Sequence, residues 1–203
     1  LLEGRPEDPP APGMMMMRGG EVVAEPPLPD VRPLERIPWP DYDDFELDRY
    51  AHRGRELTTL LSRGCVARCD FCADHPFWGR YRPRDGVDVA EELIGQHERY
   101  GSTEFFFADL LINGSAEELA RMCQHLIRFG PRLSWGGNAR ALPLMSRDLC
   151  RLMHRAGCTW LHFGLEHGVD PVLEAMRKGV TAAQNERALR HVLAAWMENR
   201  PHE

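Results

Sequence analysis

Beyond residue 56 the apolar positions of the chain keep two rhythms in turn. Short apolar runs occupy 57–61, 103–108 around Phe105-Phe106-Phe107, 132–139 and 159–165. Runs of that length between turn signals predict strands. Between them, apolar residues return every three or four positions, the period of a helix. Asp88, with Glu91 three residues on, predicts a capped helix whose Val89, Leu93, Ile94 and His97 share a face. Ser115 with Glu118 predicts a second, with Leu119, Met122, Cys123, Leu126 and Ile127 inward and Gly130-Pro131 as its stop. Ser146 opens a third, with Leu149, Cys150 and Met153 inward, ending at Gly157. Asp170-Pro171 starts a fourth, because proline suits a first helical turn, and Gly179 ends it. Thr181 and Gln184 open a last helix carrying Ala188, Leu189, Val192, Leu193 and Trp196. The order βαβαβαβαα predicts an α/β fold with a parallel sheet, of the open or barrel type. About four βα units are half of an eight-stranded barrel, and an uncovered fourth strand is a liability, so further chain or a partner is expected beyond it.

The first fifty residues lack both rhythms. Pro9-Pro10, Pro26-Pro27 and Pro38-Trp39-Pro40 predict an extended, irregular segment. One hairpin is expected, pairing 14–17 with 21–24 around Gly19-Gly20, with the methionine run as an edge strand. Tyr42, Phe45, Leu47 and Tyr50 are candidates to anchor this tail on a neighbouring domain.

Composition narrows the functional classes. With 203 residues, 43% hydrophobic and 28% charged, the chain suits one globular domain, or a domain and a tail. No apolar run is long enough for a membrane span, and no signal-peptide pattern begins the chain, which starts at Leu1. The net charge of −6 is uneven: residues 1–50 hold five Arg against twelve acids, and residues 51–84 seven Arg against three acids. An acidic chain with a local basic window makes nucleic acid an unlikely partner and admits a local site for an anionic ligand. Of the 25 basic residues only Lys178 is lysine, which reads as genome composition.

The chemistry concentrates in the cysteines. Cys65, Cys69 and Cys72 follow the first strand with the spacing C-x3-C-x2-C, whereas Cys123, Cys150 and Cys158 are scattered and fall at core positions. Without a secretory signal, metal binding is a better default than disulfides. Three thiolates cannot close a tetrahedral zinc site, so structural zinc needs a fourth ligand such as His75. Three cysteines also suit a [4Fe–4S] cluster with one iron open, and the strand-end position, where parallel α/β folds keep their chemistry, favours that reading.

This loop, with Phe71 in the aromatic place of C-x3-C-x-aromatic-C, resembles the signature of the radical S-adenosylmethionine (SAM) superfamily. Ser62-Arg63-Gly64-Cys65 through Phe77-Trp78-Gly79-Arg80-Tyr81-Arg82-Pro83-Arg84 resembles its cobalamin-dependent branch. So do Phe107-Ala108-Asp109, the run from Ala156-Gly157-Cys158 to Phe163-Gly164-Leu165-Glu166, and Lys178-Gly179. Pro27-Leu28-Pro29, Ile37-Pro38 and Pro40-Asp41-Tyr42 resemble the linker that follows a cobalamin-binding domain, so the resemblance covers nearly the whole chain. It implies a partial (β/α) barrel of the radical SAM type over 55–203, preceded by a Pro-rich linker over 1–54. It also implies a fragment lacking the cobalamin domain and the C-terminal part of the barrel. Two departures point the same way: there is no D-x-H-x-x-G, and the sequence stops before the usual glycine-rich stretch after the fifth strand. Two others are local: Ala108-Asp109-Leu110 stands where Gly-Gly-Glu is usual, and His167 stands where Ser is common.

By that resemblance Cys65, Cys69 and Cys72 hold three irons, and the fourth chelates the amino and carboxylate groups of SAM. An electron from the cluster then cleaves SAM to methionine and a 5′-deoxyadenosyl radical, which takes a hydrogen from substrate. Phe71 packs on the adenine, Glu166 approaches the ribose or methionine part, Arg140 pairs with the carboxylate and Asp109 accepts from the amino group. The ordinary alternatives are a flanking acid for Glu166, a solvated arginine for Arg140 and a helix cap for Asp109. For His167 they are an acid–base group or a surface histidine. The expected activity is cobalamin-dependent methylation or cyclisation of a small-molecule substrate that the sequence does not identify, with cobalamin supplied through a domain absent from this chain. An electron donor of the flavodoxin or ferredoxin type and a reducing cytoplasm go with it. Two other readings stay open: a methylthiotransferase-like radical enzyme, and a non-catalytic zinc or iron–sulfur module.

Overall fold

The computed structural model describes residues 13–24, 34, 37–49 and 56–198, the side chain of His75 excepted. The chain divides into two compact units, 1–36 and 37–203. In the first, β1 (Met15–Arg18) and β2 (Glu21–Ala24) form the expected antiparallel hairpin, in register from Met15↔Ala24 to Arg18↔Glu21. Its two-residue turn needs positive φ at both positions, and Gly19 and Gly20 supply 60° and 87°.

The second unit runs β3 (Leu57–Thr59), β4 (Ser62–Arg63), α1 (Asp74–Trp78), β5 (Arg82–Pro83) and α2 (Gly86–Tyr100). It continues with β6 (Glu104–Phe107), α3 (Ala116–Phe129), β7 (Ser134–Ala139), α4 (Arg147–Arg155), β8 (Cys158–Phe163), α5 (Asp170–Ala175) and α6 (Ala182–Glu198). Four strands pair in parallel in the order β3-β6-β7-β8, a sheet that remains open. Pleat alternation sends Phe105 and Phe107 into the helix-covered core with Leu93, Leu119, Met122, Trp135 and Met153. Phe106 faces the opposite way and stacks on Trp160, ring centroids 5.8 Å apart. Cys123, Cys150 and Cys158 are core residues, as their spacing predicts, and burial raises all three thiol pKa values.

The helix starts show where local signals suffice. Ser115 and Ser146 accept from the backbone N–H groups of Glu118 (3.3 Å) and Leu149 (3.2 Å). Thr181 and Gln184 make a complete capping box, at 3.2 Å and 2.7 Å. The start of α2 differs from expectation. Asp85, not Asp88, is the cap, accepting from Val87 N (2.8 Å) and Asp88 N (3.2 Å). Asp88 turns instead to Arg84, at 2.6 Å. The carboxylate of Glu118 likewise leaves its own helix start and accepts from Gly86 N at 2.7 Å, joining the starts of α2 and α3.

Residues 37–49 belong to the second unit. Gln96 Nε2 donates to Pro40 O (2.6 Å), and Tyr42 donates twice, its hydroxyl to Thr58 O and its backbone N–H to the Tyr100 hydroxyl oxygen, both at 3.0 Å. Tyr42 and Leu47 pack against the core while Phe45 is exposed. Tyr50 lies outside the described residues.

Candidate active site

The cysteine loop leaves the C-terminal end of β3 and is stapled at its base. β4 pairs with β5, Ser62↔Pro83 and Arg63↔Arg82, and Cys65 bridges to Arg80. Gly64 makes this closure possible: its φ is +82°, and a Cβ there would stand 2.5 Å from Arg80 O. Behind the staple lies a buried polar network. Arg84 contacts Glu92 Oε2 at 2.6 Å and donates to Leu60 O at 2.8 Å, and Thr59 Oγ1 donates to Glu92 Oε1 at 2.5 Å.

Asp109 belongs to this base. It is 1% exposed, and its carboxylate accepts from Leu61 N (2.9 Å) and Ser62 Oγ (2.5 Å). Burial pushes its pKa up to about 7, outweighing those hydrogen bonds. It is not among the residues that line the cleft shared by the three loop cysteines. The donors that claim it stand at the end of β3, which β6 places alongside. A position expected to face a ligand therefore ties two strand ends together.

The remaining six predicted residues come together. Cys65, Cys69, Cys72, Phe71, Arg140 and Glu166 all line one cleft of about 460 Å3 across the C-terminal ends of β3, β6, β7 and β8. Cys65 is half-buried, and that burial raises its thiol pKa, against the Ala67 N–H and the Arg140 cation, which lower it. Arg140 Nη1 donates to Cys69 Sγ at 3.4 Å, and the Cys72 thiol lies 3.9 Å from Asp74 Oδ2. Arg140 is buried, and Asn113 holds its backbone from both sides, with N→Oδ1 3.0 Å and Nδ2→O 2.7 Å. Glu166 sits at φ 63° and accepts from Lys178 Nζ at 2.8 Å.

Sequence reasoning missed Lys178, Asn138 and His162 as lining residues. Asn138 and His162 carried a signal, being polar residues near the ends of apolar strand runs. His167 lies outside the lining; exposed, its Nδ1 accepts from Val169 N at 3.1 Å.

The donor set fits an iron–sulfur cluster and SAM. Three thiols from one loop face a cleft whose opposite wall carries two buried cations, Arg140 and Lys178, suited to thiolates and a carboxylate. Among the described residues no three His, Cys, Asp or Glu side chains gather at a single point, and a cluster with one thiolate per iron does not require it.

Comparison with known proteins agrees. The family model "Radical SAM superfamily" matches residues 59–199. The chain is 29% identical over 175 residues to an uncharacterized methyltransferase of Pyrococcus horikoshii, covering 85% of this chain and 38% of that protein. It is 31% identical over 177 residues to the anaerobic magnesium-protoporphyrin IX monomethyl ester cyclase of Rubrivivax gelatinosus, covering 84% and 31%. The structure of the cobalamin-dependent S-adenosylmethionine radical enzyme OxsB with aqua-cobalamin bound superposes with TM-score 0.73 at 25% identity, over 91% of this chain and 28% of that one. The chain thus spans well under half the length of each. A match over most of the chain, with the cysteine loop and strand-end cleft inside it, means that this chain belongs to the radical SAM superfamily.

Proposed function

We propose that residues 55–203 form the SAM-cleaving core of a radical enzyme of the cobalamin-dependent branch, acting in methylation or cyclisation of an organic small molecule. One observation carries the reading: the three loop cysteines, Arg140 and Glu166 line a single cleft. A [4Fe–4S] cluster and SAM, when bound there, supply the reducing electron and the carbon radical for the reaction. The chain's own residues do the rest. Cys65, Cys69 and Cys72 hold the cluster, leaving one iron for SAM. Arg140 takes the SAM carboxylate, Glu166 the ribose or methionine part, and Phe71 packs on the adenine. Leu110, Leu111, Phe163 and Leu165 line the same cleft and exclude water from a reactive radical. Cobalamin would come from a domain outside residues 1–203, joined through the Pro-rich segment 1–54. A low-potential donor of the flavodoxin or ferredoxin type and the reducing cytoplasm complete the picture. No helix among the described residues is long and apolar enough to cross a membrane.

Anaerobic reconstitution with iron and sulfide, followed by EPR of the reduced chain with and without SAM, tests this. The expected result is a [4Fe–4S] signal that SAM perturbs, abolished by Cys65→Ala, Cys69→Ala or Cys72→Ala. Preferential zinc uptake, or a cluster indifferent to SAM, overturns it.

A further inference from the structure

Lys178 is the one lysine among 25 basic residues, and it is buried, 5% exposed, in the wall of the cleft. Its ammonium has two partners from opposite sides of the site. Glu166 Oε1, just beyond β8, lies 2.8 Å away, and the ring of Phe71, in the cysteine loop, has its centroid 5.5 Å away. The turn that carries Lys178 holds the same loop by its backbone as well: Asp70 N donates to Met176 O at 3.1 Å. Arg177 pairs with Asp70. Glu166 occupies the left-handed region, which disfavours side chains bearing a Cβ, and so needs its surroundings to hold it there.

We infer that Lys178 is a positioning residue that couples the cysteine loop to the far strand end, fixing Glu166 through its ammonium and Phe71 beneath it. The compact ammonium matters. A Cβ at Gly164 would already stand 3.3 Å from Nζ and 3.1 Å from Glu166 Oε1. A guanidinium, planar and wider, does not reproduce the point contact that the ammonium makes with Glu166 Oε1 and the Phe71 ring. Elsewhere the chain meets every need for a cation with arginine, so the lysine at 178 answers to the space around it.

The consequence for SAM rests on the function proposed above; the coupling does not, and the two are tested separately. Hydrogen exchange on the full, unloaded chain reads the coupling. In Lys178→Gln the amides of 69–72 exchange roughly tenfold faster, a size usual for a broken buried pair, while those of the core strands β6 and β7 are unchanged. Unchanged exchange at 69–72 overturns the inference, and so does faster exchange throughout, which marks a general loss of stability. Reconstituted chains read the consequence. Lys178→Gln retains wild-type iron and sulfide, but the SAM concentration that half-perturbs the EPR signal rises roughly tenfold. Lys178→Arg does not restore it, and Glu166→Gln added to Lys178→Gln costs nothing more. Rescue by Lys178→Arg, or additive losses, overturns the inference. A wild-type cluster indifferent to SAM instead sinks the proposed function, and the exchange result then decides the coupling alone.

Discussion

The base and the tip of the cysteine loop are held by opposite means. At the base, polar groups are buried and paired: Asp109 with Leu61 and Ser62, Arg84 with Glu92 and Leu60 O. The backbone there is so close that only glycine fits at 64. At the tip, Asp70 and Phe71 are exposed, and their contacts come from across the cleft, from Met176, Arg177 and Lys178. The difference teaches a division of labour. The base belongs to the folded core and fixes where Cys65 leaves the sheet. The tip, carrying Cys69 and Cys72, takes its position from the turn after α5 and from Arg140 beyond β7, across the cleft where SAM is proposed to lie. Damage at the base should therefore appear as lost stability, and damage at the tip as lost response to ligand.

The strongest test is at the base. Arg84→Ala leaves Glu92, 1% exposed, without its cation. Removing one member of a buried pair costs about 3–5 kcal/mol, because the other charge stays behind. Urea unfolding should show a loss of that order. Arg84→Met together with Glu92→Met should regain most of it, since a matched apolar pair carries no such penalty. If the single variant is as stable as wild type, the base is not the rigid half.

Asp109 sharpens the same contrast through pH. Its pKa rises from an ordinary 3.8 to about 7 in the folded chain, so the folded state holds this proton more tightly than the unfolded state. The stability this supplies is fully present below pH 3.8 and lost as pH rises through about 7, after which the curve is level. Asp109→Asn keeps the neutral shape and drops the titration. Its amide can donate to Ser62 Oγ, which faces Leu111 O at 3.4 Å. Relative to wild type, the variant should therefore gain stability between about pH 5 and about pH 8. An equal difference at both pH values would show that burial does not control this carboxyl.

The same residues show what a linear reading reaches. Strand runs, the caps at Ser115, Ser146 and Thr181 and the cysteine spacing are local, and their signals lie within a few residues of their effects. Asp85 displaced Asp88 as a cap because both were suitably placed, and Arg84, next in the chain, claimed Asp88. Asp109 was legible as a strand-end acid, but its donors lie 47 and 48 residues away, and pairing of β3 with β6 brings them in. Lys178 gave a compositional hint as a lone lysine; its role appears only when Glu166 and Phe71 converge on it.

The smallest expected effect separates two neighbours at the tip. Arg177 and Lys178 both contact the cysteine loop, but the Arg177–Asp70 pair is open to solvent, with side chains 75% and 43% exposed, whereas Lys178 is buried. Water and salt screen the first pair, and holding two long side chains together costs entropy, so exposed pairs contribute little. The backbone bond from Asp70 N to Met176 O does not need the Arg177 side chain. Arg177→Ala should therefore leave the thermal midpoint within error of wild type. It should shift the SAM response of the EPR signal by less than about twofold, with no added dependence on ionic strength. If Arg177→Ala matches Lys178→Gln, the exposed pair would matter as much as the buried one, and burial would no longer distinguish the two.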